Sequence, residues 1–166
     1  MKLTSLEEYG LRCLLRVGRA GPEGSVTISE LSRSEGISEP NVAKMMRLLR
    51  TAGLVGSTRG QAGGYTLARP ADRITLGEAL AALGTPLYEA SFCETHAGVG
   101  RLCTHMPDCS IRSVWRMVQR AVDDVLVKIT LKDLLVPERE MNDWPAARPG
   151  AAVLPAIAHG APATRP

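Results

Sequence analysis

A chain of 166 residues that is 45% hydrophobic can bury one well-packed core, and at roughly 100–200 residues per domain it leaves no room for two large ones. The net charge of +3 and pI near 8.8 are mildly basic, so the total only hints at an anionic partner and the placement of the charges carries more information. No apolar signal core follows Met1-Lys2-Leu3-Thr4-Ser5 and no run of about 18 apolar residues occurs, which argues against secretion or a membrane span and makes the cytoplasm the expected location.

From Leu3 to Val17 the apolar residues Leu3, Leu6, Tyr9, Cys13, Leu14 and Val17 recur at helical spacing, with Glu8, Arg12, Arg16 and Arg19 on the other side. This pattern predicts a first helix, which Gly21-Pro22-Glu23-Gly24 breaks. Thr27 followed three residues later by Glu30 is a capping box and predicts a short second helix through Leu31. Gly36 ends it, and Ser38 is placed to cap a third helix whose first turn tolerates Pro40. Val42, Met45, Met46 and Leu49 fall on the inner side of that helix, while Asn41, Lys44, Arg47 and Thr51 face outward until Gly53. A short helix, a glycine turn and a second helix make a helix-turn-helix.

Leu54 to Thr58 and Tyr65 to Ala68 read as two strands joined by Arg59-Gly60-Gln61-Ala62-Gly63-Gly64 and closed by Pro70, a hairpin suited to a wing. Thr75 caps a further helix through Leu83, and Gly84 to Cys109 has no periodicity and reads as a loop. Between Ser110 and Ile129 the residues Ile111, Val114, Trp115, Val118, Val122, Val125, Leu126 and Ile129 form one stripe, too much apolar face for a free surface. Thr130 caps a last short helix, Leu131 to Val136; beyond it lie six of the eleven prolines, in a composition that seldom packs. The expected architecture is therefore mainly α. It comprises a winged helix-turn-helix DNA-binding domain with a small β-hairpin wing over 1–83 and a cysteine-bearing loop over 84–109. A long dimerisation helix with a short terminal helix follows over 110–136, then a disordered tail over 137–166.

No acidic residue occurs between Glu39 and Asp72, whereas Lys44, Arg47, Arg50, Arg59 and Arg69 all lie there. Cations without a repelling carboxylate suit a phosphate backbone. The outward residues Ser38, Asn41, Lys44 and Arg47 fit a major groove, and Arg59 at the wing tip fits the minor groove.

The cytoplasm is reducing, so the four cysteines are better suited to metal binding or redox sensing than to structural disulfides. Three of them form Cys93-x9-Cys103-x5-Cys109 in the loop before the long helix. Thiolates are the ligands that iron-sulfur clusters require, and one loop can wrap three around a cluster. Zinc is a rival, because either His96 or His105 would complete a Cys3His set. A metal-free thiol switch is another. Cys13, spaced with Leu6, Tyr9 and Val17, reads as a small buried hydrophobe. Paired carboxylates, a nucleophile elbow, a P-loop and a dinucleotide glycine motif are all absent from the sequence, so an enzyme is not expected.

The opening Met1 to Thr4, the segment Ile37 to Leu54, the wing Arg59 to Leu67 and the later Ile129 to Leu134 resemble the IscR, NsrR and RirA family of bacterial regulators over about residues 1–136. The resemblance implies homodimers that bind partly palindromic double-stranded operators, most often as repressors, through the third helix and the wing arginine Arg59. The chain departs at Pro40 and Ala43, where IscR-like members carry polar base readers. It further implies a [2Fe-2S] or [4Fe-4S] cluster on Cys93, Cys103 and Cys109, the second cysteine gap matching the family's. The His of IscR-like members is replaced by Arg112. NsrR-like members bring a carboxylate from the partner subunit, at the position Glu8 occupies here, and His96 and His105 are local competitors. A surface ion pair with Arg12, worth about 0.3–0.5 kcal/mol, is the other reading of Glu8.

Overall fold

The computed structural model describes residues 3–58, 63–89, 91–97, 103 and 105–142. Helix α1 (Ser5–Arg19) begins at a capping box: the Thr4 hydroxyl accepts from the Glu7 amide at 3.2 Å and the Glu7 carboxylate accepts from the Thr4 amide at 2.8 Å. It continues two residues past Val17. Helix α2 (Ile28–Glu35) uses the same device at Thr27 and Glu30, as expected, but runs a full turn past Leu31. It stops at Gly36, whose φ of +67° lies in the left-handed region that favours glycine.

That extra turn places Glu35 against α1. Arg12 Nε and Arg16 Nε donate to its two carboxylate oxygens at 2.7 and 2.6 Å, and the Glu35 side chain is only 4% exposed. The pairing of Arg12 with Glu8 is thereby displaced by one the local sequence did not offer.

Helix α3 (Glu39–Thr51) carries Pro40 in its first turn and buries Val42, Met45, Met46 and Leu49. Ser38 occupies the capping position without making the side-chain bond expected of it. Strands β1 (Val55–Thr58) and β2 (Gly64–Leu67) pair antiparallel, Val55 opposite Leu67 and Thr58 opposite Gly64. Tyr65 also exchanges both backbone hydrogen bonds with Val26, which ties the hairpin to the segment before α2. Helix α4 (Leu76–Leu83) is capped by Thr75, as its sequence predicts, and Glu78 completes the capping box.

The segment expected to be a plain loop contains one helical turn, α5 (Phe92–Thr95). Helix α6 (Ser110–Leu126) follows. The terminal helix predicted over Leu131 to Val136 is instead a 3-10 turn, Asp133–Leu135, with Asp133 accepting from the Thr130 amide at 2.8 Å. The start of the tail departs from the disorder expected of it: Glu138–Asn142 form a short helix, α7. Residues 143–166 lie outside the described residues.

The core joins Cys13, Leu14 and Val17 of α1 and Leu31 of α2 to the inner face of α3. Leu54, Val55, Ile74, Ala79, Leu83 and Leu131 complete it. Helix α6 contributes no buried residue. The residues after it are stitched to the start of α4 and the segment before α4 by the bonds Leu76 N to Ile129 O and Leu131 N to Ile74 O, each 2.8 Å.

Burial pushes the Glu35 carboxyl upward, but hydrogen bonds from Arg16 and Arg12 outweigh it and hold it below the ordinary carboxylate range. A carboxyl depressed in the folded state stabilises above its unfolded pKa and loses that contribution as pH falls through the folded value. Glu35→Ala is expected to cost about 1–3 kcal/mol at pH 7, because it strands two guanidinium groups that are themselves partly solvated. Urea denaturation at pH 7 and again in the acid range checks this: the gap from wild type should shrink in acid.

Candidate functional site

Because Val42, Met45, Met46 and Leu49 point inward, the outer face of α3 presents Glu39, Asn41, Lys44, Arg47 and Arg50, with Ser38 beside its first turn; all are exposed. Lys44 and Arg47 form no ion pair among the described residues, so their charge stays available to an anion. Arg50 Nη1 donates to Ser57 Oγ at 3.3 Å, pinning the first wing strand to the helix. Arg59 and the rest of the wing tip, 59–62, lie outside the described residues.

Arg69 is a correction to the cationic set read from the sequence. Its Nη2 donates to Glu78 Oε1 at 2.7 Å, while Glu78 Oε2 accepts from the Thr75 amide at 2.8 Å. The carboxyl of Glu78 is held low first by that backbone bond and then, against some burial, by Arg69. One carboxylate thus caps α4 and tethers the end of the wing, and Arg69 is spent on the tether.

Cys93, Cys103 and Cys109 are free thiols, each half-buried. Cys109 stands at the N-cap of α6, its sulfur accepting from the Arg112 amide at 3.4 Å, at the positive end of that helix's dipole. The Arg112 guanidinium donates to Pro107 O at 2.6 Å and approaches Met106 Sδ at 3.2 Å, so it braces the turn before α6. Cys93 Sγ lies 3.6 Å from the Tyr88 hydroxyl, whose pKa is raised first by that bond. The Tyr88 amide donates to Gln119 Oε1 at 2.9 Å, and Gln119 Nε2 donates to Asp123 at 2.8 Å. The cysteine segment is therefore tied to the middle of α6. The His96 ring stacks on Phe92 with centroids 4.0 Å apart, and His105 is exposed.

Among the described residues no three Cys, His, Asp or Glu side chains converge tightly enough to hold a metal ion. Three soft sulfurs on one segment, none of them in a disulfide, fit an iron-sulfur group by donor chemistry. Gathering them would require the segment to close up from the arrangement seen here. Glu8 is exposed on α1 and makes no side-chain hydrogen bond or ion pair among the described residues, since Arg12 is engaged by Glu35. Cys13 is fully buried, and burial first, then the charge of Glu35, pushes its thiol up to about 11 against a lowering by Arg12.

The roles of Glu35 and Gln119 escape sequence reasoning, since their partners lie far off in the chain and no local spacing marks them; the Thr75–Glu78 spacing marks a cap but not the bond from Arg69. Glu39 was visible only as the edge of the acid-free window.

A helix-turn-helix with a β-hairpin behind it and a cationic outer helix defines a winged-helix DNA-binding protein. Residues 3–137 match the model of Rrf2, iron-dependent transcriptional regulator. The chain belongs to the Rrf2 family and is a DNA-binding transcriptional regulator rather than an enzyme. It is 35% identical over 152 residues to protein rrf2 of Nitratidesulfovibrio vulgaris, covering 89% of this chain and 99% of that one. It is 33% identical over 143 residues to the HTH-type transcriptional regulator IscR of Pectobacterium carotovorum, covering 86% and 84%. Among solved structures it is similar to CymR, the global cysteine regulator of B. subtilis (TM-score 0.64, 28% identity, 81% and 96% covered). It is likewise similar to T. potens IscR (TM-score 0.63, 31% identity, 81% and 86% covered). No helix among the described residues is long and apolar enough to cross a membrane.

Two outcomes follow from this geometry. In anisotropy titrations of duplex DNA over a salt series, Arg47→Ala is expected to lower the slope of log K against log salt by about 1. Arg69→Ala should leave that slope unchanged while weakening binding through the released wing. In reduced, chelator-treated native protein at pH 8, maleimide should label three cysteines, and Cys13 should react only after denaturation, as peptide mass spectrometry would read out.

Proposed function

We propose that this chain is a sequence-specific repressor that works in the cytoplasm as a homodimer on a partly palindromic operator and responds to redox state, nitric oxide or iron supply. In this reading Ser38, Asn41, Lys44 and Arg47 enter the major groove and Arg59 the adjacent minor groove. Helix α6 packs against its copy. Support for the dimer comes from its apolar face: Ile111, Val114, Trp115, Met117, Val118 and Val125 are all exposed on one helix with no buried residue, a surface that a monomer in water would not keep.

The sensing assignment rests on one observation. Three thiols free of disulfides lie on the segment that links the reading head to α6, and that segment is pinned to α6 through Tyr88 and Gln119. Cys93, Cys103 and Cys109 would hold an iron-sulfur cluster, with His96 or His105 of the same segment, or Glu8 of the partner subunit, as the remaining ligand. Such a cluster, when bound, supplies a centre sensitive to oxidants, nitric oxide and iron loss. The chain's own part is mechanical. A segment drawn in around its ligands holds α6 by one end and by Gln119, and so sets the separation of the two α3 helices, which must match half-sites about 34–36 Å apart.

A second reading is metal-free thiol sensing. The separation of the three thiols among the described residues and the likeness to a cysteine regulator favour it. Oxygen-free purification separates the two. The first reading expects brown protein with iron and acid-labile sulfide in near-equal amounts, lost in the Cys93, Cys103 and Cys109 alanine variants. Colourless protein without iron or sulfide, whose operator affinity still follows thiol oxidation, would establish the second. For the dimer, Val118→Asp is expected to give monomers in sedimentation velocity and to lower operator affinity by at least about tenfold, since a charge would be buried at the contact.

A further inference from the structure

We propose that Glu39 is a specificity-determining residue of this regulator, its carboxylate accepting a hydrogen bond from the exocyclic amino group of a cytosine in the major groove. The inference rests on the reading of α3 as the base-reading helix. Glu39 is the first residue of α3, is exposed, and is the one acidic residue in the sequence from Gly36 to Ala71. The first turn of a recognition helix is the part that reaches base edges.

A carboxylate there carries a cost, because every phosphate nearby repels it. Within the described residues no cation is paired with it. Its hydrogen bond comes instead from a neutral group, Ser29 Oγ of α2, to Oε1 at 2.6 Å. That bond restrains the side chain at the junction of the two helix-turn-helix helices, and the second carboxylate oxygen accepts no bond there.

The neighbouring side chains sharpen the assignment. Pro40 and Ala43 offer neither donors nor acceptors to a base edge. In the first turn and a half, polar reading therefore falls to Ser38, Glu39 and Asn41. A carboxylate only accepts, so the guanine O6 and N7 and the thymine O4 repel it, whereas cytosine presents the N4 amino donor; adenine presents its N6 amino donor too, but with the N7 acceptor beside it. Glu39 would thus reject guanine and thymine and favour cytosine over adenine at the position it faces.

The test is selection from a random duplex library by the purified full-length protein, comparing wild type with Glu39→Gln, Glu39→Ala, Ser29→Ala and Arg47→Ala. Wild type should enrich cytosine at one position in each half-site. Glu39→Ala should lose that preference by about 5- to 30-fold and bind random DNA more tightly at low salt. Glu39→Gln should move the preference toward adenine, which an amide can pair through N6 and N7. Ser29→Ala should weaken discrimination at the same position without changing the salt slope. Base preferences identical to wild type at every position in both Glu39 variants would overturn the inference. If Arg47→Ala nonetheless lowers affinity, the reading of α3 survives; if it too changes nothing, that reading falls as well.

Discussion

The reading head depends on one packing constraint, the burial of a single face of α3. Val42, Met45, Met46 and Leu49 are at most 2% exposed. Rotating the helix by one residue, about 100°, would carry Lys44 or Arg47 toward that core, where an unpaired charge costs several kcal/mol. The same packing that stabilises the domain therefore fixes which side chains of α3 face solvent. Leu14, Val17 and Leu31 press on that face from α1 and α2, so the orientation of the cationic outer face is set by the domain core and not by α3 alone.

Around this core, a few carboxylates and amides do the joining. Glu35 couples α2 to two arginines of α1. Glu78 couples the end of the wing to the start of α4, and Gln119 couples the cysteine segment to α6. Each link is polar and charge-assisted or backbone-directed, so each specifies one geometry where apolar contact would tolerate several. Together with the backbone stitching of α4 to the residues after α6, they make a continuous path from the cysteine segment to the wing.

Helix α6 stands apart from this economy. Its apolar stripe is as regular as that of α1, yet it buries no residue. The same pattern that predicts a core helix elsewhere here describes an exposed apolar face. The acid-free window behaves in a comparable way: its five cations looked equivalent in sequence, but Arg69 is neutralised by Glu78 and Arg50 is turned onto the wing strand. The set of cations without a partner on the protein is smaller than the composition implied.

What the sequence determined is what short-range physics controls. Capping boxes act over three residues and helical faces repeat every three or four, so α1, α2, α3, α4 and α6 were legible, as were the wing strands and the exposure of Asn41, Lys44 and Arg47. The short turn at Phe92–Thr95 and the 3-10 turn at Asp133–Leu135 were missed or misassigned, being too brief for a period to show. Only the tertiary structure decided that Arg12 serves Glu35, 23 residues away, and that Tyr88 is held by Gln119, 31 residues away. Such partners compete with nearer candidates of the same chemistry, Glu8 for Arg12 above all. The winner is chosen by which side chains the packed core brings within hydrogen-bonding distance, a quantity that no local spacing encodes.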